Sequence, residues 1–322
     1  MRTRLQQFLA VAGLTAIETL RQPICLLLAT VGLVAVALLP LVLSHTLGEA
    51  PQMVADSALA FHFVAGLLLG GFAAGRALTA EIRRGTAAAV LATPVSRETF
   101  FLAKYAGLAL VVILFSATLT LASLMSVRTV ASGYERDAWG AGPLLVAAAL
   151  AYAAGGAINF ALRRPFVSDA FLLLMTGVVL AFAASGAVDR QGHLAPFGSS
   201  FIWPLVPIHA LVTMAVLVLT AIALALATRL DVVPTVSICS ALFFAGLVSD
   251  YLFGRRAATD RVAAAVYAIL PNWQHFWLAD AIRLQSHVPA RYLLLAAAYT
   301  ALYVAAILAA GLVSFRHTEV RA

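Results

Sequence analysis

Charge is scarce in this chain, and lysine is nearly absent. Only 11% of the 322 residues are Asp, Glu, Lys or Arg, against 63% hydrophobic, whereas a soluble globular domain carries about 25% charged residues. Lys104 is the single lysine; the other basic residues are arginines. This shortage excludes an ordinary water-soluble fold. With a mean hydropathy of +0.97, it predicts an all-α, polytopic membrane protein. Cysteine is short as well. Cys25 and Cys239 lie in separate apolar stretches without metal-ligand spacing and read as small core residues. No G-x-x-x-x-G-K-[ST] phosphate loop occurs and no stretch reads as a soluble domain, so ATP hydrolysis is not expected of this chain. Residues 1–21 lack an apolar core of signal-peptide length, and no cleavable signal is expected. The net charge of +7 could suggest nucleic acid, but the basic residues stand one to three at a time between apolar runs and form no patch.

What the chain does have is long apolar runs. A helix needs about 20 apolar residues to cross the hydrocarbon core. Eight runs meet that need: 23–42, 59–78, 105–127, 143–160, 170–187, 203–228, 232–252 and 292–313. They compose a transmembrane domain over 23–322, a helical bundle of about eight spans within a range of six to eight. Ahead of it, residues 1–22 alternate Leu5, Phe8, Leu9, Ile17 and Leu20 with Arg2, Arg4, Gln6, Gln7 and Arg21 at roughly helical spacing. That pattern predicts a helix lying along the inner membrane surface. Residues 45–56 and 128–142 read as solvated loops, the second holding Arg128, Glu135, Arg136 and Asp137. Gly155 and Gly156 suit close helix packing, and Pro204 and Pro207 suit a helix entrance.

Eight spans put both termini on one side. That side carries thirteen of the basic residues and the other side eight, so the excess of Arg and Lys assigns the termini to the cytoplasm. Arg255, Arg256 and Arg261 form a cluster on the wrong side for this rule. The four tryptophans (139, 203, 273 and 277) all fall on the outer side, as an interfacial belt would have it.

The most informative stretch lies between the second and third runs, over 79–104. Ala, Leu, Glu and Arg favour a short helix over 79–92, opposed only by Gly85. Pro94 ends it by pushing Thr93 away from helical geometry. Ser96 is an N-cap for the next helix, with Glu98 in its first turn. Such a helix, tied to two spans, can act as a lever between a soluble partner and the membrane. Taken together, Glu81, Gly85, Thr86, Leu91, Pro94, Ser96, Arg97, Lys104 and Gly107 resemble the first cytoplasmic loop of the ABC-2 type transporter permeases. The resemblance implies that Glu81, Arg83, Arg84, Gly85, Thr86, Leu91, Pro94, Ser96 and Arg97 form the coupling site for a separate ATPase subunit. It further implies that ATP and Mg bind there rather than on this chain, and that a second permease chain, identical or not, pairs with this one.

The other distinctive stretch, 253–290, mixes arginines with Ala-rich pieces and then an aromatic run containing Pro271, Asn272, Trp273, Phe276, Trp277 and Asp280. It is too polar to span and is expected at the outer interface or dipping partly inward. The permease family carries helical or re-entrant pieces at this place, a second point of resemblance. The extra pair of spans over 143–187 departs from the six spans common in that family. The resulting expectation is an ATP-driven exporter's permease subunit in a prokaryotic inner membrane, with membrane lipid as a further partner. Two alternatives stand beside it: an ion-coupled secondary transporter, and a membrane anchor that transmits force. The first is disfavoured by span middles free of Asp, Glu, Lys and Arg, with His62 and His209 read near span ends. A membrane enzyme finds no support, because His62, His209, His275, His287 and Asp280 make no recognisable catalytic or metal constellation.

Overall fold

The computed structural model describes residues 2–43, 49–83, 95–131, 137–278 and 288–316. Among these residues the fold is all-helical apart from one bridge, Val188 with Leu194. The α-helices are α1 (Arg2–Leu20), α2 (Pro23–Val42), α3 (Ala50–Arg83), α4 (Arg97–Val130), α5 (Gly142–Leu162), α6 (Phe166–Gly186), α7 (Leu205–Leu226), α8 (Val232–Leu247), α9 (Arg261–Ile269) and α10 (Ala290–Arg316). A π-helical turn, Asp250–Gly254, and a 3-10 turn, Trp273–Phe276, flank α9. Among the described residues seven helices are long and apolar enough to cross a membrane, and the chain is a multi-pass membrane protein.

The eighth expected span is shorter than its apolar run. The helix of α8 covers 16 residues, about 24 Å at 1.5 Å per residue, below the roughly 30 Å of a hydrocarbon core. The run continues to 252, but as the π-helical turn. The expected loop over 45–56 is also corrected, because α3 begins at Ala50 and its first turns bury Val54 and Ala55 completely. At its other end α3 runs unbroken to Arg83, so residues 79–83 continue the span rather than starting a separate helix.

At 34 residues each, α3 and α4 are about 51 Å long. They contribute to both hydrophobic cores of the bundle. One core joins α2, α5, α6 and the far half of α4; the other joins α7, α8, α10 and the 3-10 turn. The glycines of α3 explain how one helix serves so many neighbours. Gly66 and Gly70, four apart, face α7: a Cβ on Gly66 would lie 2.6 Å from Val216 Cγ2, and one on Gly70 would overlap Thr220 Oγ1. Gly71 and Gly75, again four apart, face α8, at 3.2 Å from Val236 Cγ2 and 3.1 Å from Val232 Cα. Lipid tails are as apolar as leucine, so helices in a bilayer associate through close van der Waals contact, which small residues permit. Gly155 behaves as the sequence suggested, 3.1 Å from Ala170 Cβ, whereas Gly156 meets nothing within 4 Å.

The loop end of the bundle is the end at which α3 stops at Arg83 and α4 starts at Arg97. At the opposite, far end the solvated-loop reading of 128–142 is corrected at Arg128 and Asp137, while Glu135 and Arg136 lie outside the described residues. Arg128 and Asp137 are buried and paired, Nε to Oδ2 at 2.7 Å. The remaining guanidinium donors reach Ser185 O, Ser185 Oγ at 3.1 Å and Asp189 O at 2.9 Å. The Phe201 ring lies 5.8 Å from the guanidinium carbon. Arg128 therefore ties the end of α4 to the loop before α5 and to the loop after α6. Asp189 accepts from the backbone N–H of His193 at 2.8 Å and of Gln191 at 2.9 Å. The His193 N–H bond, the larger influence, together with that of Gln191 holds the exposed Asp189 carboxyl below its ordinary range despite some opposing burial. Sequence spacing cannot reveal this hub, because its members are 9, 57 and 61 residues apart.

Two stability predictions follow from the packing. Gly70→Leu forces α3 from α7, and a thermal melt in detergent should show a loss of about 1–3 kcal/mol or more, with Gly70→Ala milder in the same direction. Arg128→Leu leaves a buried unpaired carboxylate and should cost about 3–5 kcal/mol, while adding Asp137→Leu should recover part of the loss. An unchanged midpoint in the single variant would contradict the buried pair.

Candidate functional site

The segment resembling a coupling loop is framed by two helix ends. On its near side, Thr79 of α3 donates to the carbonyls of Ala227 (3.5 Å) and Leu230 (3.2 Å) in the turn between α7 and α8. On its far side α4 starts as the sequence suggested. Ser96 is extended (φ −70°, ψ 148°), and its Oγ accepts from Thr99 N–H at 3.1 Å. Arg97 opens the helix and Glu98 occupies its first turn. Glu81 and Arg83 lie on the last turn of α3. Arg84, Gly85, Thr86, Leu91 and Pro94 lie outside the described residues.

Both flanks are joined through the end of α10. Arg97 Nη1 donates to Arg316 O at 3.1 Å, and Arg316 pairs with Glu98. Arg229, in the α7–α8 turn that holds Thr79, donates from Nε to Ser314 Oγ at 3.1 Å and from Nη2 to Ser314 O at 3.2 Å. Phe315 sits fully buried against Phe100 and Phe101, with ring centroids 6.0 and 5.8 Å apart. The path from Thr79 through 227–230 and 314–316 to Glu98 closes a frame around the loop's two anchors. Glu98 and Arg316 are each about half exposed, with side chains 48% and 54% accessible, so their ion pair contributes at most about 1 kcal/mol. The buried phenylalanines supply the firmer joint. None of Thr79, Arg229 or Ser314 stands out in sequence, because each acts through a neighbour more than 80 residues away.

One helical turn further along α4, Lys104 is buried, 3.8 Å from Glu18 Oε2 and 5.4 Å from the Phe100 ring centroid. Gly107 lies against α1, where a Cβ would overlap Ala12 O and stand 2.8 Å from Thr15 Cβ. The helix α1 thus packs one face on α4 and leaves Leu5, Leu9, Leu14 and Ile17 exposed on the other.

Residues 19–161 match the family model described as "ABC-2 family transporter protein". Over these residues, the ABC-2 region, fewer than half of the chain, the protein is similar to that family. The region runs from the last turn of α1 nearly to the end of α5 and contains the whole framed segment. A search of curated proteins found no match.

Within the ABC-2 region, the sequence reading missed a polar cluster. His62 of α3 and Ser116 of α4 meet His209 of α7: Nδ1 to Nδ1 at 2.9 Å between the histidines, and His62 Nε2 to Ser116 Oγ at 2.8 Å. The ring centroids are 5.1 Å apart with planes inclined by 20°. A separation that large with an Nδ1–Nδ1 contact means rings meeting edge to edge through a hydrogen bond, not face to face. All three side chains are buried, and His209 Nε2 has no hydrogen-bond partner among the described residues. The placement of His62 near a span end is corrected, because it lies within about five residues of the midpoint of α3, as Ser116 does in α4; His209, the fifth residue of α7, lies near the start of its span as expected. The two histidines are 147 residues apart, and only the close α3–α7 approach joins them. Among the described residues no group of three or more His, Cys, Asp or Glu side chains is placed to hold a metal ion.

Beyond the ABC-2 region, the expected outer segment turns back into the bundle. Asn272 caps the 3-10 turn through Gln274 N–H at 2.9 Å and donates to Asp250 Oδ1 at 2.8 Å. Trp273 is fully buried, edge-on to Phe63 at 5.9 Å, and its Nε1–H donates to Leu242 O at 3.3 Å. Phe276 is equally buried, and the Trp277 ring lies nearly parallel to Phe63 at 6.5 Å. Trp273 therefore does not belong to an interfacial belt, whereas Trp139 and Trp203 are exposed. Gly246 makes room for the turn: a Cβ there would overlap Trp273 Nε1 and Pro271 O. Asp280 lies outside the described residues. Gly246→Leu should expel the 271–277 turn, red-shifting tryptophan emission and costing about 1–3 kcal/mol in thermal unfolding. Unaltered emission would contradict the insertion.

Proposed function

We propose that this chain is the membrane-spanning subunit of an ATP-driven ABC-2 type transporter that exports its substrate across a prokaryotic inner membrane, with both termini cytoplasmic. The observation that carries the proposal is the framed loop inside the ABC-2 region. A segment whose two anchors are bonded to α7, α8 and α10 can pass a push from a soluble partner into several spans at once. In this reading a separate ATPase subunit binds ATP and Mg and grips residues 81–91, while Ser96 and Arg97 hold the start of α4. A second permease chain completes the membrane unit. Rigid transmission is favoured because α4 is one unbroken helix from the loop to Arg128 at the far end.

One observation favours a second reading, an ion-coupled secondary transporter. Ionisable side chains inside a bundle often mark ion or proton pathways, and the His62–His209–Ser116 array is such a set. The membrane-anchor reading has no observation of its own.

The deciding experiment purifies the chain through its own tag after co-expression with the ATPases encoded beside its gene. An ATPase should accompany it, and Glu81→Lys with Arg84→Glu should weaken that association roughly tenfold or more, about 1.4 kcal/mol of docking energy, with the thermal midpoint unchanged. If no ATPase associates in mild detergent, the proposal falls, and proton-driven transport in vesicles becomes the test of the histidine array.

A further inference from the structure

The arginines on the wrong side for orientation, Arg255, Arg256 and Arg261, have a physical role in the fold. They sit at the far end of the bundle, Arg255 and Arg256 between α8 and α9 and Arg261 at the first position of α9, and all three are exposed. The turn carrying them is closed by its own backbone: Ala257 N–H donates to Phe253 O at 2.8 Å and Asp260 N–H to Arg256 O at 2.9 Å. The acidic residues nearby have internal work. Asp250 Oδ1 accepts from Tyr267 OH at 2.5 Å and from Asn272 Nδ2 at 2.8 Å, and Asp260 Oδ1 caps α9 through Val262 N–H at 2.8 Å. The Asp250 hydrogen bond is the main influence that raises the Tyr267 hydroxyl above its ordinary range, so the phenol stays a donor to that carboxylate. The guanidiniums are left facing outward, with Arg255 over the exposed Tyr251 ring at 5.3 Å.

The apolar residues of this element also face outward. Val262, Val266 and Ile269 are spaced at i, i+4 and i+7, one face of a helix, and are 70%, 36% and 75% exposed. Ala263 is the only buried residue of α9. Tyr251 and Leu252 extend the exposed apolar surface along the π-helical turn. A helix that follows the short apolar helix α8, with its apolar stripe outward and arginines at its start, has the form of an interfacial membrane helix.

We propose that residues 250–269 form a binding site for anionic phospholipid on the far leaflet: Tyr251, Leu252, Val262, Val266 and Ile269 enter the acyl boundary, and Arg255, Arg256 and Arg261 bind headgroup phosphate. Arginine suits this chemistry because its planar fork donates two hydrogen bonds to one phosphate. Three guanidiniums against two internally bonded carboxylates give the element a positive face. A lipid surface, rather than a soluble partner, fits because the stripe continues from the end of the short apolar helix α8. Lipid-bound arginines also account for a basic cluster that violates the orientation rule, since here they report the headgroup layer rather than the cytoplasm.

The test uses the full chain in vesicles, with Ala258→Cys carrying a fluorophore and Cys25→Ala and Cys239→Ala removing the two native thiols. Brominated phosphatidylglycerol and brominated phosphatidylcholine are compared as quenchers in otherwise identical bilayers. Phosphatidylglycerol should quench more strongly, by about fivefold in apparent local concentration for each engaged arginine. Arg255→Gln with Arg256→Gln and Arg261→Gln should make the two lipids equivalent, and Arg256→Gln alone should give a partial loss if the triple variant does not fold. Val262→Ser with Ile269→Ser should reduce quenching by both lipids. Equal quenching by the two lipids in the unsubstituted element overturns the headgroup assignment. Quenching by neither lipid overturns the membrane contact and leaves water or a protein partner over this surface.

Discussion

The close approach of α3 to α7 and α8 is the constraint on which the rest of the bundle depends. Within a bilayer no water is released when two apolar helices meet, so contact distance decides whether they pair. Gly66 and Gly70 admit Val216 and Thr220 of α7, and Gly71 and Gly75 admit Val236 and Val232 of α8. Held between those two helices, α3 presents His62 to His209, Phe63 to Trp273, and Thr79 to the α7–α8 turn. Three contacts at two levels of the bundle follow from one helix with two glycine-lined faces.

The second organising feature is the contrast between the two ends. At the loop end the joints are a stacked phenylalanine trio and half-exposed polar bonds among 227–230, 314–316 and 97–98. Such joints suit a region that transmits displacement, because they hold direction without the rigidity of a buried ion pair. At the far end Arg128 is wholly enclosed and distributes its donors over three chain segments. A buried pair of that kind is strongly destabilised by the loss of one member and therefore specifies one arrangement of the far loops. The long helix α4 connects the two regimes, from the Ser96 cap at one end to Arg128 at the other.

The ABC-2 region and the remainder of the chain interlock rather than forming separate bodies. The histidine pair and the frame around the loop each take one side from residues 19–161 and the other from beyond them. The outer segment makes the same kind of link, placing Trp273 against Phe63. A displacement of α3 or α4 must therefore be felt by α7, α8 and α10, as the proposed coupling would need.

Composition and hydrophobic run length by themselves determined that this is a helical multi-pass membrane protein, because a bilayer imposes a minimum apolar length that can be counted along the chain. Local grammar determined the Ser96 cap, the start of α4 at Arg97 and the entrance of α7 after Pro204, since those signals act over three or four residues. Tertiary structure alone decided that α3 starts at Ala50, that Arg128 and Asp137 are buried, that His62 meets His209, and that Trp273 enters the core. Each of those depends on a partner distant in sequence, or on a neighbour that makes burial of a polar segment favourable. The four glycines of α3 lie between these cases: their spacing is written in the chain, but only packing decides which helix each pair receives.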